Sequence, residues 1–189
     1  RKGELVWKNP FPSMPLKFWN DKNDIKFHNT YFNNFLNIWH HGDYAEIRES
    51  GGFIIHGRSD TTLNPGGVRL GTAEIYSEVE KFIEVKEWIV IGQAWDNDIR
   101  IVLFIVLNPK YKLNDSLLKR IKIQIRKNAS PRHVPSKILV VNDIPRTKNG
   151  KIVELAVKNI VEGNDIKNKE ALANPNILEQ YKNLKELKY

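Results

Sequence analysis

Apolar positions open the chain in a short run, Leu5-Val6-Trp7, which predicts a strand over residues 3–7. Pro10, Pro12 and Pro15 then punctuate a connector that cannot be regular helix. Tyr31 to Trp39 is aromatic and apolar at mixed spacing and predicts a short helix feeding a strand. Alternation over residues 39–47, a turn at Ser50-Gly51-Gly52 and a return over 53–58 predict a hairpin. Beyond it the period changes: Ile75, Val79, Phe82 and Ile83 share one helical face. Residues 88–94 and 99–107 read as antiparallel strands joined at Asp96-Asn97-Asp98.

A second helix places Leu117, Leu118, Ile121 and Ile125 inward, with Lys119, Arg120, Lys122, Arg126 and Lys127 outward. Pro131 and Pro135 end it, residues 137–141 predict a strand, and 152–161 a third helix. This order predicts an α+β fold in which helices flank an antiparallel sheet, preceded by a β-rich remnant. The expected divisions are 1–59, 60–161 and a tail, 162–189. In that tail Ile177, Leu178, Tyr181, Leu184 and Leu187 recur at helical spacing, which predicts docking on a partner surface.

Composition narrows the classes. With 41% hydrophobic and 28% charged residues in 189, the chain is globular in character, and no apolar run approaches the roughly 18 residues of a membrane span. Zero cysteines exclude disulfide scaffolds, thiolate zinc sites and cysteine nucleophiles, and fit a reducing compartment such as the cytoplasm. No secretory leader opens the chain, and its start at Arg rather than Met suggests a piece of something longer. The net charge of +8 raises nucleic acid, an anionic membrane and polyanionic small molecules as partners, although a lysine-rich bias alone would produce it. A basic nucleic-acid-binding module would carry aromatics on a basic sheet face or an RNP-type motif, and neither is present.

Three constellations could carry chemistry. Pro145-Arg146-Thr147-Lys148-Asn149-Gly150-Lys151 joins a strand to a helix through an Asn-Gly turn. Lys151 at that helix start would oppose the macrodipole, so it is either a solvated loop residue or the neutraliser of an incoming anion. Pro65-Gly66-Gly67-Val68-Arg69-Leu70-Gly71 precedes a helix and is either a tight turn or a phosphate approach; it lacks the Gly-Lys-Ser/Thr of a Walker loop. Gly42-Asp43 faces Gly57-Arg58-Ser59-Asp60 across the hairpin, where Asp43 and Arg58 could hold a nucleotide or simply each other. The five histidines lack metal-ligand spacing, no metal site is expected, and neither Gly-x-Ser-x-Gly nor HExxH occurs.

In this order the three segments resemble the closing section of the acyl-adenylate-forming superfamily, which includes acyl-CoA synthetases. Arg69-Leu70-Gly71-Thr72-Ala73-Glu74-Ile75 resembles the acetyl-CoA synthetase branch. Pro12-Ser13-Met14-Pro15, Phe18-Trp19-Asn20-Asp21 and the tail stretch from Asn168 to Pro175 resemble the acetoacetyl-CoA synthetase branch. The resemblance implies a carboxylate activated by Mg-ATP to an acyl-adenylate, then displacement of AMP by coenzyme A, with a mobile C-terminal domain turning between the halves. Residue by residue it implies Lys151 as the adenylation lysine, Asp43, Arg58 and Arg69 at the nucleotide, Gly66, Gly67 and Arg126 at coenzyme A, and Asp60 as hinge. Partners implied are ATP, a short acyl carboxylate, coenzyme A and a large N-terminal domain, with no nucleic acid and no membrane. The superfamily's phosphate loop and acyl-pocket motifs are absent, so this segment alone is expected to be inactive.

Overall fold

The computed structural model describes residues 1–166 and 169–188; Asn168, the first residue of the tail stretch, lies outside the described residues with Lys167 and Tyr189. The chain divides into two compact units, 1–60 and 61–189.

In the first unit, β1 (Lys2–Trp7), β2 (Trp39–Ile47) and β3 (Phe53–Arg58) form an antiparallel sheet in that order. A helix, α1, spans Ile25–Tyr31, earlier than the residues the aromatic run suggested. Its first amides find the Asp21 carboxylate, which accepts from Lys26 N and Phe27 N at 2.9 and 2.8 Å. Residues 32–38 are turns, with Asn37 at φ +58°, because an Asn-rich stretch satisfies its backbone locally better than it propagates a helix. The aromatics cluster instead: Tyr31 stacks on buried Trp39 at 3.6 Å, with Phe11 and Phe32 edge-on to the same indole.

The second unit contains α2 (Thr72–Val79), β4 (Val85–Trp95), β5 (Asp98–Leu107), α3 (Asp115–Asn128), β6 (Lys137–Val140) and α4 (Glu154–Val161). β4 and β5 pair antiparallel through a two-residue turn in which Asp96 and Asn97 have φ +51° and +58°, the geometry that matches strand twist. β6 pairs with the other edge of β5 in parallel, so this sheet is mixed. The physical reason is the connection: α3 carries the chain back across the sheet before β6 begins. Helices cover both faces, as the fold class expected. On one, α2 and α3 bring Ile75, Val79, Leu117, Ile121 and Ile125 against Val90, Ile101, Leu103 and Ile105. On the other, Val157 and Ile160 of α4 meet Ile89, Ile91, Val102 and Phe104. β5 is therefore covered twice, which is why its sequence is nearly continuously apolar.

Three expectations are corrected here. α2 ends at Val79, so Phe82 and Ile83 do not extend its buried face, and Ile83 is exposed. α4 begins at Glu154; Ile152 pairs in a bridge with Arg146 instead of opening the helix. The tail's helical spacing is not realised as an α-helix: as 3₁₀ turns, Pro175–Tyr181 and Lys185–Leu187, it buries Leu178, Tyr181 and Leu187 on its own unit's sheet.

Candidate functional site

The first group lies on the β2–β3 hairpin, where Asp43 and Arg58 are direct cross-strand partners. The Arg58 guanidinium reaches the Asp43 carboxylate at 3.8 Å, Asp60 at 3.5 Å and the His41 carbonyl at 3.3 Å. Asp43's other oxygen faces His41 Nδ1 at 2.5 Å. Gly42 makes room for this: its φ is +83°, and a Cβ there would meet Arg58 Nη2 at 2.8 Å. The Asp–Arg pair of the sequence reading is present, and its Arg58 member also lines a groove of about 970 Å³. Trp39 and Tyr31 wall that groove, and Arg58, Ser59 and Asp60 line it. An aromatic wall beside a carboxylate acceptor and a guanidinium donor suits a base, a ribose and a phosphate.

The second group is the glycine turn of the second unit. Leu63 and Leu70 exchange backbone hydrogen bonds of 2.9 and 2.8 Å and close the loop between them. Gly66 and Gly67 take φ +58° and +75° at its tip. The Gly66 amide donates to both oxygens of Asp98 at 2.9 Å, so it is already engaged and offers no free donor to a phosphate. The Ile99 and Gly66 amides together hold the Asp98 carboxyl below its usual range. Arg69 Nε donates to Thr62 Oγ1 at 3.1 Å, with the side chain exposed beside the turn.

Arg126 stands exposed in the last turn of α3. The cation that approaches the turn is one the sequence reading missed, Arg132, whose Nη1 lies 3.4 Å from where a Gly66 Cβ would be. Its neighbour His133 is buried, facing Ser130 Oγ at 2.8 Å and Glu74 Oε2 at 2.6 Å, and so fastens the turn Pro131–His133 to α2. The flanking prolines were the available signal that this turn is held in one geometry.

The third group surrounds Lys151. Thr147 N donates to the Lys151 carbonyl at 2.8 Å, Gly150 N to the Thr147 carbonyl at 2.8 Å, and Lys151 N to Thr147 Oγ1 at 3.1 Å. Gly150 at φ +80° closes this turn. Lys151 therefore stands at the foot of a tight turn, ahead of α4 and not on its first turn, and the macrodipole argument for it falls. The amine is exposed and pairs with no acid among the described residues. The turn is anchored through Arg146, which donates to the Gly150 carbonyl at 3.0 Å and to Glu87 at 2.8 Å.

Glu87 is near the start of β4, whereas Asp98, which grips Gly66, pairs with Trp95 at its end. At about 3.3 Å per residue the lysine turn and the glycine turn are anchored about 26 Å apart along one hairpin. Residues 74–151 match the model of the AMP-binding enzyme C-terminal domain. This segment is similar to such a domain.

Beyond that match the likeness covers nearly the whole chain. It is 58% identical over 99% of its length to the acetoacetyl-coenzyme A synthetase of Rhizobium meliloti (strain 1021), of which it covers 29%. With the acetoacetyl-CoA synthetase of Xenopus tropicalis the identity is 46% over 98% of the chain and 28% of that protein. The solved structure of acetoacetyl-CoA synthetase from Streptomyces lividans superposes with a TM-score of 0.91 at 41% identity, over 100% of this chain and 29% of that one. The chain thus spans less than a third of these relatives, at 28–29% of their length. No group of three or more metal-ligating side chains occurs among the described residues, and no helix among them is long and apolar enough to cross a membrane.

Proposed function

We propose that the chain is the C-terminal part of an AMP-forming ligase that joins acetoacetate to coenzyme A in the cytoplasm. In the first half-reaction an acetoacetate carboxylate oxygen attacks the α-phosphorus of ATP, and pyrophosphate leaves. In the second the coenzyme A thiolate attacks the acyl carbon, and AMP leaves. Magnesium enters with ATP as part of the substrate.

Each predicted residue has a task in this reading. Asp43 accepts the ribose hydroxyls and Arg58 meets the nucleotide. Lys151 neutralises the charge that gathers between carboxylate and α-phosphate, an interaction worth most in the transition state. Gly66 and Gly67 let the pantetheine chain pass close to the backbone, while Arg69 and Arg126 meet phosphates. Asp60 is the hinge for the domain that begins after it.

The observation that carries the reading is the separation of the two turns along one hairpin. A lysine turn and a glycine turn anchored about 26 Å apart along the hairpin, one needed in each half-reaction, suit one active centre served by a domain that turns between halves. An exposed lysine held by its backbone and with no acid partner among the described residues also suits a charge delivered to a remote substrate.

The test is Lys151→Ala in the full-length enzyme. Acyl-adenylate formation, followed by pyrophosphate release, should fall by about a thousandfold or more. Thioester formation from supplied acetoacetyl-adenylate should persist. Equal loss of both halves would refute the assignment of Lys151 to adenylation.

A further inference from the structure

The lysine turn is braced from outside by the tail. Thr147 forms a bridge with Leu172, Lys148 N donates to the Ala171 carbonyl at 3.1 Å, and Ala173 N donates to the Arg146 carbonyl at 2.8 Å. At the centre is Asn174, whose side chain is fully used. Its Oδ1 accepts from Arg146 N at 3.0 Å, and its Nδ2 donates to Asp143 Oδ2 at 2.8 Å and to the Ile144 carbonyl at 3.0 Å.

We infer that Asn174 is a positioning residue for adenylation: it fixes the Arg146 backbone, and the Arg146 guanidinium in turn fixes the peptide that carries Lys151. The inference rests on the adenylation role proposed above for Lys151. The mechanical chain is short. Arg146 is held by Asn174 at its amide and by Ala173 at its carbonyl, and its side chain spans from Glu87 to the Gly150 carbonyl, one bond before Lys151 N. Without the tail contacts, the turn would keep only its internal bonds and the Arg146 side chain. A lysine that must meet a phosphate and a carboxylate together is sensitive to such slack, because misplacement by about 1 Å can cost about a hundredfold in rate.

The test uses three variants of the full-length enzyme, Asn174→Ala, Gln180→Ala and Lys151→Ala, with both half-reactions measured on each. Gln180 belongs to the same tail but bonds only the Asn142 amide and the Asp143 carbonyl, before the turn. Asn174→Ala should slow acyl-adenylate formation by about ten- to a hundredfold. It should leave thioester formation from supplied adenylate within about twofold of wild type, well inside that effect. Gln180→Ala should lower the melting temperature without separating the two half-reactions. If Asn174→Ala behaves as Gln180→Ala does, the positioning role is overturned and Asn174 is merely structural. If Lys151→Ala spares adenylation, the functional reading itself fails, which is a distinct result. Hydrogen exchange on the unmodified enzyme covers the case in which Asn174→Ala does not fold. The Lys148 amide should be protected to the same degree as that of Ala173, and free exchange at Lys148 beside a protected Ala173 would also overturn the inference.

Discussion

Gly42 meets two demands at once, a left-handed backbone and an empty Cβ position against the Arg58 guanidinium. Gly42→Ala should therefore cost about 1–2 kcal/mol from backbone conformation alone and push Arg58 away from Asp43. Thermal unfolding of the full-length enzyme should shift down, and calorimetric titration should show weaker nucleotide binding. An alanine variant with wild-type affinity would mean that Arg58 does not touch the nucleotide. At this scale the sequence was informative about identity and less so about setting. The hairpin that brings Asp43 near Arg58 was legible from alternation and the Ser50-Gly51-Gly52 turn, but the exact pairing was not: the register running from that turn would oppose Asp43 to Gly57, and a shift between Tyr44 and Ala45 puts Arg58 there. The setting of Lys151 was not: the apolar residues Ile152 and Val153 continue the pattern of α4 backwards, while the bridge from Ile152 to Arg146 removes them from the helix.

Among elements, one carboxylate of α2 adds polar bonds to the apolar contact with α3. Glu78 accepts from Lys81 at 2.7 Å, Gln124 at 2.9 Å and Asn128 at 2.8 Å. Burial pushes the Glu78 carboxyl up, but these donors outweigh it and hold the group below its usual 4.5. A carboxyl depressed in the folded state stabilises fully above its unfolded value, and that contribution is lost as pH falls through the folded value. The melting temperature should accordingly drop below about pH 4.5, and Glu78→Gln should remove part of that drop while lowering the plateau at neutral pH. A variant with the same acid limb as wild type would exclude Glu78 as a source of it. The layering itself was legible, since the unbroken apolar run of β5 demands cover on both faces. The parallel direction of β6 was not, because side-chain pattern encodes which residues are buried and says nothing of strand direction; the intervening α3 decides that.

For the whole molecule, the first unit leaves an apolar sheet face in the open. Leu5, Val6, Trp7, Ala45, Phe53 and Ile55 border a hollow of about 600 Å³, and Phe53 is 59% exposed. In proteins of which this chain is 28–29%, the remainder is the natural cover. The isolated 189-residue chain should self-associate in light scattering, and Ile55→Lys should reduce that association; a monodisperse chain unaffected by the lysine would contradict this. The tail was the least legible part. Its apolar spacing pointed to docking, and Leu178, Tyr181 and Leu187 are buried with Phe104 in the core of their own unit. Three-residue turns from Pro175 onward fold them back where a regular helix would have carried them outward.

The brace on the lysine turn also orders events in time. During synthesis the lysine emerges before Leu172, Ala173 and Asn174, and at about 5–20 residues per second the stitching segment trails it by about one to five seconds. A nascent polypeptide would spend that interval with its ammonium group unregistered, so any premature use of ATP would be slowed. Competence would then arrive with the closing stitch rather than with the appearance of the reactive side chain.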